Sequence, residues 1–225
     1  MKTLIVGMGE VGTALAEVLK QYNPCCDDIK RTQVNVWTAP DILHITFPYS
    51  DKFVEYVKEY QEKHKPKYTI IHSTCPVGIS SQLGAIHSPI RCIHPNLEKG
   101  IKTFTKFIGG EKASEVADYF RKADVTVCLF DKPETTEAMK LFDTLYFGVC
   151  VEFAKEVKRF CDENELSFSD VYRLPNMTYN QGYQELGHPE FPRPVLEPII
   201  KKIGVHSVLN NANLLETNFS KFIKK

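Results

Sequence analysis

Residues 2–22 run KTLIVGMGEVGTALAEVLKQY. Thr3–Val6 is a short apolar run of the kind that forms a buried strand, and Val11, Leu15, Val18 and Leu19 then recur at helical spacing. Between strand and helix, Gly7, Met8, Gly9, Glu10, Val11 and Gly12 fit G-x-G-x-x-G. In that setting the first glycine permits a tight turn, the second lets a pyrophosphate approach the backbone, and the third lets helix and strand pack closely. The helix N-terminus adds free N–H groups and a positive dipole end. The turn therefore predicts dinucleotide binding; the plain alternative is a tight turn in a sheet protein that has no such ligand. Such folds set an acid against a ribose about twenty residues on, which points from Gly7 to Asp27 in NPCCDDIKR. Asp27 suggests NAD, whereas the neighbouring Lys30 and Arg31 would suit the 2′-phosphate of NADP.

Outward from this turn the pattern repeats. DILHITFPYSD (41–51) is a second strand, ended by Pro48, and residues 51–64 have helical spacing through Phe53, Val54, Val57 and Tyr60. KYTIIHSTCPVG (67–78) is a third strand, stopped by a turn containing Pro76 and Gly78. PIRCIHP (89–95), TKFIGG (105–110) and VTVCLF (125–130) are further short strands, with a helix around 112–122. Strands alternating with helices imply parallel pairing, so residues 1–133 are expected to form an α/β, Rossmann-like, doubly wound sheet that binds a dinucleotide. Residues 134–163 carry no breaker except Gly148 and are apolar on most sides. Such a helix is buried or shared with a second chain, which makes 134–225 a helical dimerisation and substrate-site extension and the protein a homodimer. LPNMTYNQGYQELGHPEFPRP (174–194) is expected to be a long ordered loop.

Composition narrows the partners. Lys+Arg and Asp+Glu both number 28 in 225 residues, so no general field draws nucleic acid or an acidic membrane surface. The N-terminus lacks signal-peptide regions, and no apolar run approaches the ~18 residues of a membrane span. Seven cysteines lack CxxC spacing, and several sit in apolar runs such as TVCLF and FGVCVEF. That usage suits a reducing cytoplasm. No HxxxH or HExxH spacing supports a metal site.

Four blocks, in order, resemble the UDP-glucose/GDP-mannose dehydrogenase family of the 6-phosphogluconate-dehydrogenase-like superfamily. LIVGMGEVGTALA is similar to its nucleotide-binding turn. IIHSTCPVG looks like its S-T-x-P-V-G block, which implies Thr74 near the reaction centre, with Ser73 and Pro48 joining the cofactor contacts. ETTEAMKLFDTLYFGVCVEFAKEV resembles its long central helix, where a lysine acts on the substrate; that lysine corresponds to Lys140. IGVHSVLNNANLL is similar to G-G-x-C-x-P-x-D, which carries the family's cysteine nucleophile, and here Ser207 holds that place. The chain also has Thr144 where the family has an asparagine, and Leu209 and Asn211 in place of the proline and aspartate. It ends just after this block, whereas family members continue into a domain that grips the nucleotide half of the substrate.

A thiol forms a hemithioacetal that can lose a second hydride, and a serine without a base is a far weaker nucleophile. A Ser207–His206 pair is the less favoured alternative, because neighbouring side chains on a strand point to opposite faces. Ser207 is accordingly read as part of a pocket wall. His94-Pro95 resembles a block of prephenate dehydrogenases in the same superfamily, which makes His94 an acid–base candidate. Arg91 and Arg193 are the candidate anchors for a substrate anion.

Two functions stay open. One is an NAD(P)-dependent oxidoreductase moving a hydride to or from a small hydroxylated, anionic substrate. The other is a non-redox Rossmann protein, either a transferase using S-adenosylmethionine or a nucleotide-binding regulator.

Overall fold

The structure, a computed structural model, describes residues 1–28, 39–91, 96–198 and 208–224. It divides into two compact units, Met1–Lys140 and Leu141–Lys225. The first contains strands β1 (Thr3–Val6), β2 (Cys25–Asp27), β3 (Ile42–Ile45), β4 (Tyr68–Ile71), β5 (Ile86–His87), β6 (Lys106–Gly109) and β7 (Val127–Phe130). Its helices are α1 (Glu10–Val18), α2 (Phe53–His64), α3 (Ile79–Gln82), α4 (Leu97–Thr103) and α5 (Ala113–Arg121). Helix α6 (Pro133–Glu163) begins in this unit and runs into the next.

The seven strands among the described residues form one sheet in the order β2-β1-β3-β4-β5-β6-β7, parallel throughout except between β5 and β6. This is the Rossmann-like, doubly wound α/β fold. Because strand side chains alternate, each face of the sheet collects its own core. Leu4, Val6, Leu43, Ile45 and Ile71 pack with Phe53 and Val57 of α2, while Ile5, Ile42 and Ile70 pack with Leu15 and Val18 of α1 and Val116 and Phe120 of α5. The strand expected at 89–95 is displaced. Ile86–His87 make the ladder, and residues 89–91 are not strand, since Pro89 has no N–H to donate; residues 92–95 lie outside the described set.

One face also encloses a chain of polar groups. The Thr3 and Tyr119 hydroxyls are 3.0 Å apart, Tyr119 Oη is 3.2 Å from His44 Nε2, and His44 Nδ1 is 2.9 Å from His72 Nε2. His72 Nδ1 lies 2.7 Å from the Ser88 carbonyl. A carbonyl only accepts, so His72 Nδ1 carries a proton and its Nε2 accepts from His44 Nδ1–H. His44 Nε2 then accepts from Tyr119, and every member of the chain is satisfied. The buried Lys106 ammonium reaches the same Ser88 carbonyl at 3.2 Å.

The second unit holds the rest of α6, a π-helical turn at Ser169–Arg173, and helices α7 (Leu174–Glu185), α8 (Val208–Asn213) and α9 (Asn218–Ile223). Leu145, Val151, Val208, Ala212 and Ile223 form its core. The loop expected over 174–194 is helical through Glu185: Pro175 sits in the first turn, where a missing N–H costs nothing, and Gly182 is tolerated within the helix. Phe142, Tyr146, Phe153 and Phe160 are half or more exposed and form a stripe along α6. No described helix is long and apolar enough to cross a membrane.

Burial, reinforced by the Lys106 charge, lowers His44 to about 3, and burial lowers His87 to about 3. Burial, Lys106 and His44 together hold His72 well below its ordinary range. These rings are neutral in the fold and protonated in the unfolded chain below pH ~6.5. Stability from this source is therefore full above pH 6.5 and lost as pH falls from there toward 3, with a slope of up to ~4 kcal/mol per pH unit for the three rings near pH 5. Urea midpoints should change little above pH ~7 and fall between pH ~6.5 and ~5; a constant midpoint across that lower range would contradict neutral burial.

Candidate functional site

The three glycines of the turn occupy different environments. Gly7 has φ +101°, and a Cβ there would lie 2.6 Å from the Phe47 nitrogen. At Gly12 a Cβ would lie 2.0 Å from the Gly7 carbonyl oxygen and 2.8 Å from Thr46 Oγ1. Thr46 Oγ1 itself donates to the Val6 and Gly7 carbonyls at 2.9 and 2.6 Å, which ties the end of β1 to β3. Gly9 differs from both: its φ of −77° and ψ of −163° suit any residue, and a Cβ would meet nothing within 4 Å among the described residues. Gly9 is exposed and caps α1 without a side-chain bond. Glu10 is exposed at the first turn, while Met8 and Val11 are half-buried against the core beside α1.

The acid facing this turn is Asp28. Its Oδ2 accepts the Met8 N–H at 2.8 Å, whereas Asp27 is buried and turned inward. Asp27 Oδ1 accepts the Asp28 N–H at 2.8 Å, and its Oδ2 lies 3.4 Å from Tyr60 Oη. Burial and then the Asp27 charge push the Tyr60 phenol up to about 12. The period of two along a strand explains the exchange, because adjacent residues face opposite ways. Of the two adjacent aspartates, Asp28 is the one whose carboxylate meets the glycine turn.

The next strand ends line up along the same sheet edge. Ser73, buried after β4, donates its hydroxyl to the Phe47 carbonyl at 2.5 Å, so Pro48 and Thr74 follow from two strand ends tied together. Thr74 is half-buried and Pro48 exposed. His87, at the end of β5, lies 3.3 Å through Nε2 from the Ser73 carbonyl and 2.9 Å through Nδ1 from the Thr136 hydroxyl. The carbonyl fixes the proton on Nε2, so Nδ1 accepts from Thr136. The positive charge of half-buried Lys140 adds to burial in keeping His87 neutral. The edge thus gathers Gly9, Asp28, Pro48, Ser73 and Thr74, and α6 brings Lys140 to its far end. It lies at the carboxyl ends of the strands, where the order reverses between β1 and its two neighbours, which is where open α/β sheets bind ligands.

Other candidates fall elsewhere. His94 and Ser207 lie outside the described residues, as do Lys30 and Arg31. Arg91 stacks on Phe107 at 4.5 Å and Arg193 on Tyr179 at 3.4 Å, so each guanidinium covers an aromatic face. In the second unit Asn211 Nδ2 donates to Thr144 Oγ1 at 3.2 Å, joining two positions where the chain departs from the family it resembles. The buried carboxylate of Glu137, with no pattern in the sequence to announce it, accepts from Gly78 and Ser80 in the turn after Thr74.

No family model and no curated protein matches the sequence. Solved structures match the fold. A UDP-D-ManNAc dehydrogenase from Pyrococcus horikoshii gives a TM-score of 0.81 at 15% identity, over 100% of this chain and 67% of that one. A 3-hydroxyisobutyrate dehydrogenase from Mycobacterium tuberculosis, solved with L-serine, gives 0.71 at 13% identity, over 99% and 91%. An NDP-N-acetyl-D-galactosaminuronic acid dehydrogenase from Methanosarcina mazei Go1 gives 0.69 at 13% identity, over 99% and 65%. The chain spans about two thirds of the length of the two nucleotide-sugar enzymes. At these identities the likeness is one of fold.

The glycine geometry separates folding from binding. Gly12→Ala forces the helix from the strand and is expected to cost about 1–3 kcal/mol, as overpacking does. Gly9→Val is expected to leave the melting temperature unchanged while abolishing dinucleotide affinity. Thermal melts and NADH titrations of the two variants check this; a Gly9→Val protein that binds like wild type would remove the turn from the site.

Proposed function

We propose that the chain is a nicotinamide-dependent oxidoreductase that moves a hydride to or from a small hydroxylated, anionic substrate. The observation that carries this reading is Gly9. Gly7 and Gly12 are explained by backbone conformation and packing, but nothing among the described residues requires glycine at Gly9. A bare backbone at the start of α1 suits the close approach of a pyrophosphate, held by helix N–H groups and the dipole. Asp28, beside Met8, suits acceptance from ribose hydroxyls, which favours NAD over NADP. The names of the similar structures, dehydrogenases of nucleotide sugars and of a 3-hydroxy acid, agree with this chemistry.

When bound, the nicotinamide gives or takes the hydride. The chain's own residues do the rest. Pro48, Ser73 and Thr74 line the edge beyond the turn, so the reacting carbon is set there. Lys140, as the neutral amine, would take the proton from the substrate hydroxyl as the alcohol is oxidised, and as the ammonium, the form whose charge acts on His87, would return it in the reverse direction. Two cationic neighbours and burial keep His87 neutral and leave it as a fixed support rather than an acid. Ser207 serves as pocket wall and His94 as a second acid–base group in this proposal. The exposed aromatic stripe of α6 supports a homodimer, since a second copy would cover it.

Thermal melts with NADH, NADPH and S-adenosylmethionine test the reading, because a ligand at 100 times its Kd adds ~2.7 kcal/mol. Stabilisation by NADH is expected, followed by turnover within a panel of 3-hydroxyisobutyrate, L-serine and UDP-N-acetylmannosamine. Stabilisation by S-adenosylmethionine alone would establish the transferase reading instead. Light scattering of the same sample should give about twice the 25.7 kDa chain mass; the monomer mass would contradict the dimer.

A further inference from the structure

Glu137 is 1% exposed, and its two carboxylate oxygens have separate tasks. Oε2 accepts the Gly78 N–H at 2.6 Å, and Oε1 accepts the Ser80 N–H at 2.8 Å and the Cys75 thiol at 3.5 Å. Gly78 opens α3 with φ +100°. The carboxylate therefore caps, from another element, the turn that carries Thr74. Its neighbour Thr136 holds His87, which in turn holds the Ser73 carbonyl. Two consecutive residues of α6 thus grip both sides of residues 73–78, one helical turn before Lys140.

We propose that Glu137 is a positioning residue, which fixes the Thr74 turn against α6 and so sets the distance between Thr74 and Lys140. The proposal rests on the hydride-transfer reading above. A fully buried carboxylate is a costly way to cap a four-residue helix, and a neutral cap on the turn itself would serve stability as well. What a local cap cannot do is tie the turn to the helix that bears the proton-transfer lysine. Cys75 reports the same grip. It is 1% exposed, and burial followed by the Glu137 charge raises its thiol well above the ordinary range, so it should resist alkylation while the turn is held.

The test is Glu137→Gln in the full chain. Glutamine offers one acceptor oxygen, and its amide NH2 would face either the Gly78 or the Ser80 N–H, so one half of the grip is lost at nearly constant volume. The expected results are an NADH Kd and a substrate KM within threefold of wild type, a kcat at least thirtyfold lower, and N-ethylmaleimide labelling of Cys75 at least tenfold faster. Glu137→Asp, which keeps the charge on a shorter arm, should recover part of both kcat and Cys75 protection. A variant with wild-type kcat and fast Cys75 labelling would show that Glu137 holds the turn without any bearing on the reaction, and overturns the proposal. Wild-type kcat with Cys75 still protected would show that the grip is not made, and overturns it too. Parallel losses of kcat, NADH affinity and melting temperature would mark general destabilisation and would likewise overturn it. If wild-type protein binds no NADH, the hydride-transfer reading itself fails and the positioning role falls with it; that failure is seen before any variant is made.

Discussion

The contact on which the molecule depends is the one between Gly12 and the Gly7 carbonyl. No Cβ fits there, so α1 can start directly over the end of β1. That close approach fixes where the helix N-terminus points, and Thr46 locks the same carbonyl to β3. With β2 on one side of β1 and β3 on the other, the turn sits where the strand order reverses, which is where open α/β sheets bind ligands. Gly9 and Asp28 stand together at that point because the strand–helix junction puts them there. A larger residue at Gly12 would tilt α1 and move every one of these groups.

The other end of the edge is organised by buried polar groups rather than by glycine. Ser73 ties β4 to β3, His87 ties β5 to Ser73, and Thr136 and Glu137 tie α6 to all of them. Beneath the sheet, the Tyr119–His44–His72–Ser88 chain performs a similar task on the opposite face from α2. Each ring is satisfied only as a neutral tautomer of defined sense, so the strands must keep their register for the chain to close. His87 belongs to both sets: it helps tie the edge together, and with His44 and His72 it makes the fold sensitive to acid.

Much of this was legible in the sequence where the cause is local. The glycine turn, the strands with continuous apolar runs and the long α6 all follow from backbone sterics or periodicity over a few residues. What depends on tertiary contacts was not. Asp27 is the better count from Gly7, but only the pleat decides that Asp28 faces the turn. Helix α7 hides in a Pro-, Gly- and Asn-rich segment because Pro175 falls in the first turn, where proline is harmless. The two-residue β5 is too short to show a period. Glu137 and Thr136 lie within a helix whose spacing shows only that they share its first turns, and the partners that give them meaning are some 50 to 60 residues away in the chain.

In the proposed site Asp28 and the glycine turn act together on one nucleotide. NADH and NADPH titrations of Asp28→Ala and Asp27→Ala test it directly. Loss of a charged acceptor for ribose hydroxyls is worth about 1.5–3 kcal/mol. Asp28→Ala should therefore weaken NADH roughly 10- to 100-fold and change NADPH far less, while a folded Asp27→Ala protein keeps its NADH affinity. Unchanged NADH binding by Asp28→Ala, or a loss confined to Asp27→Ala, would contradict the site described.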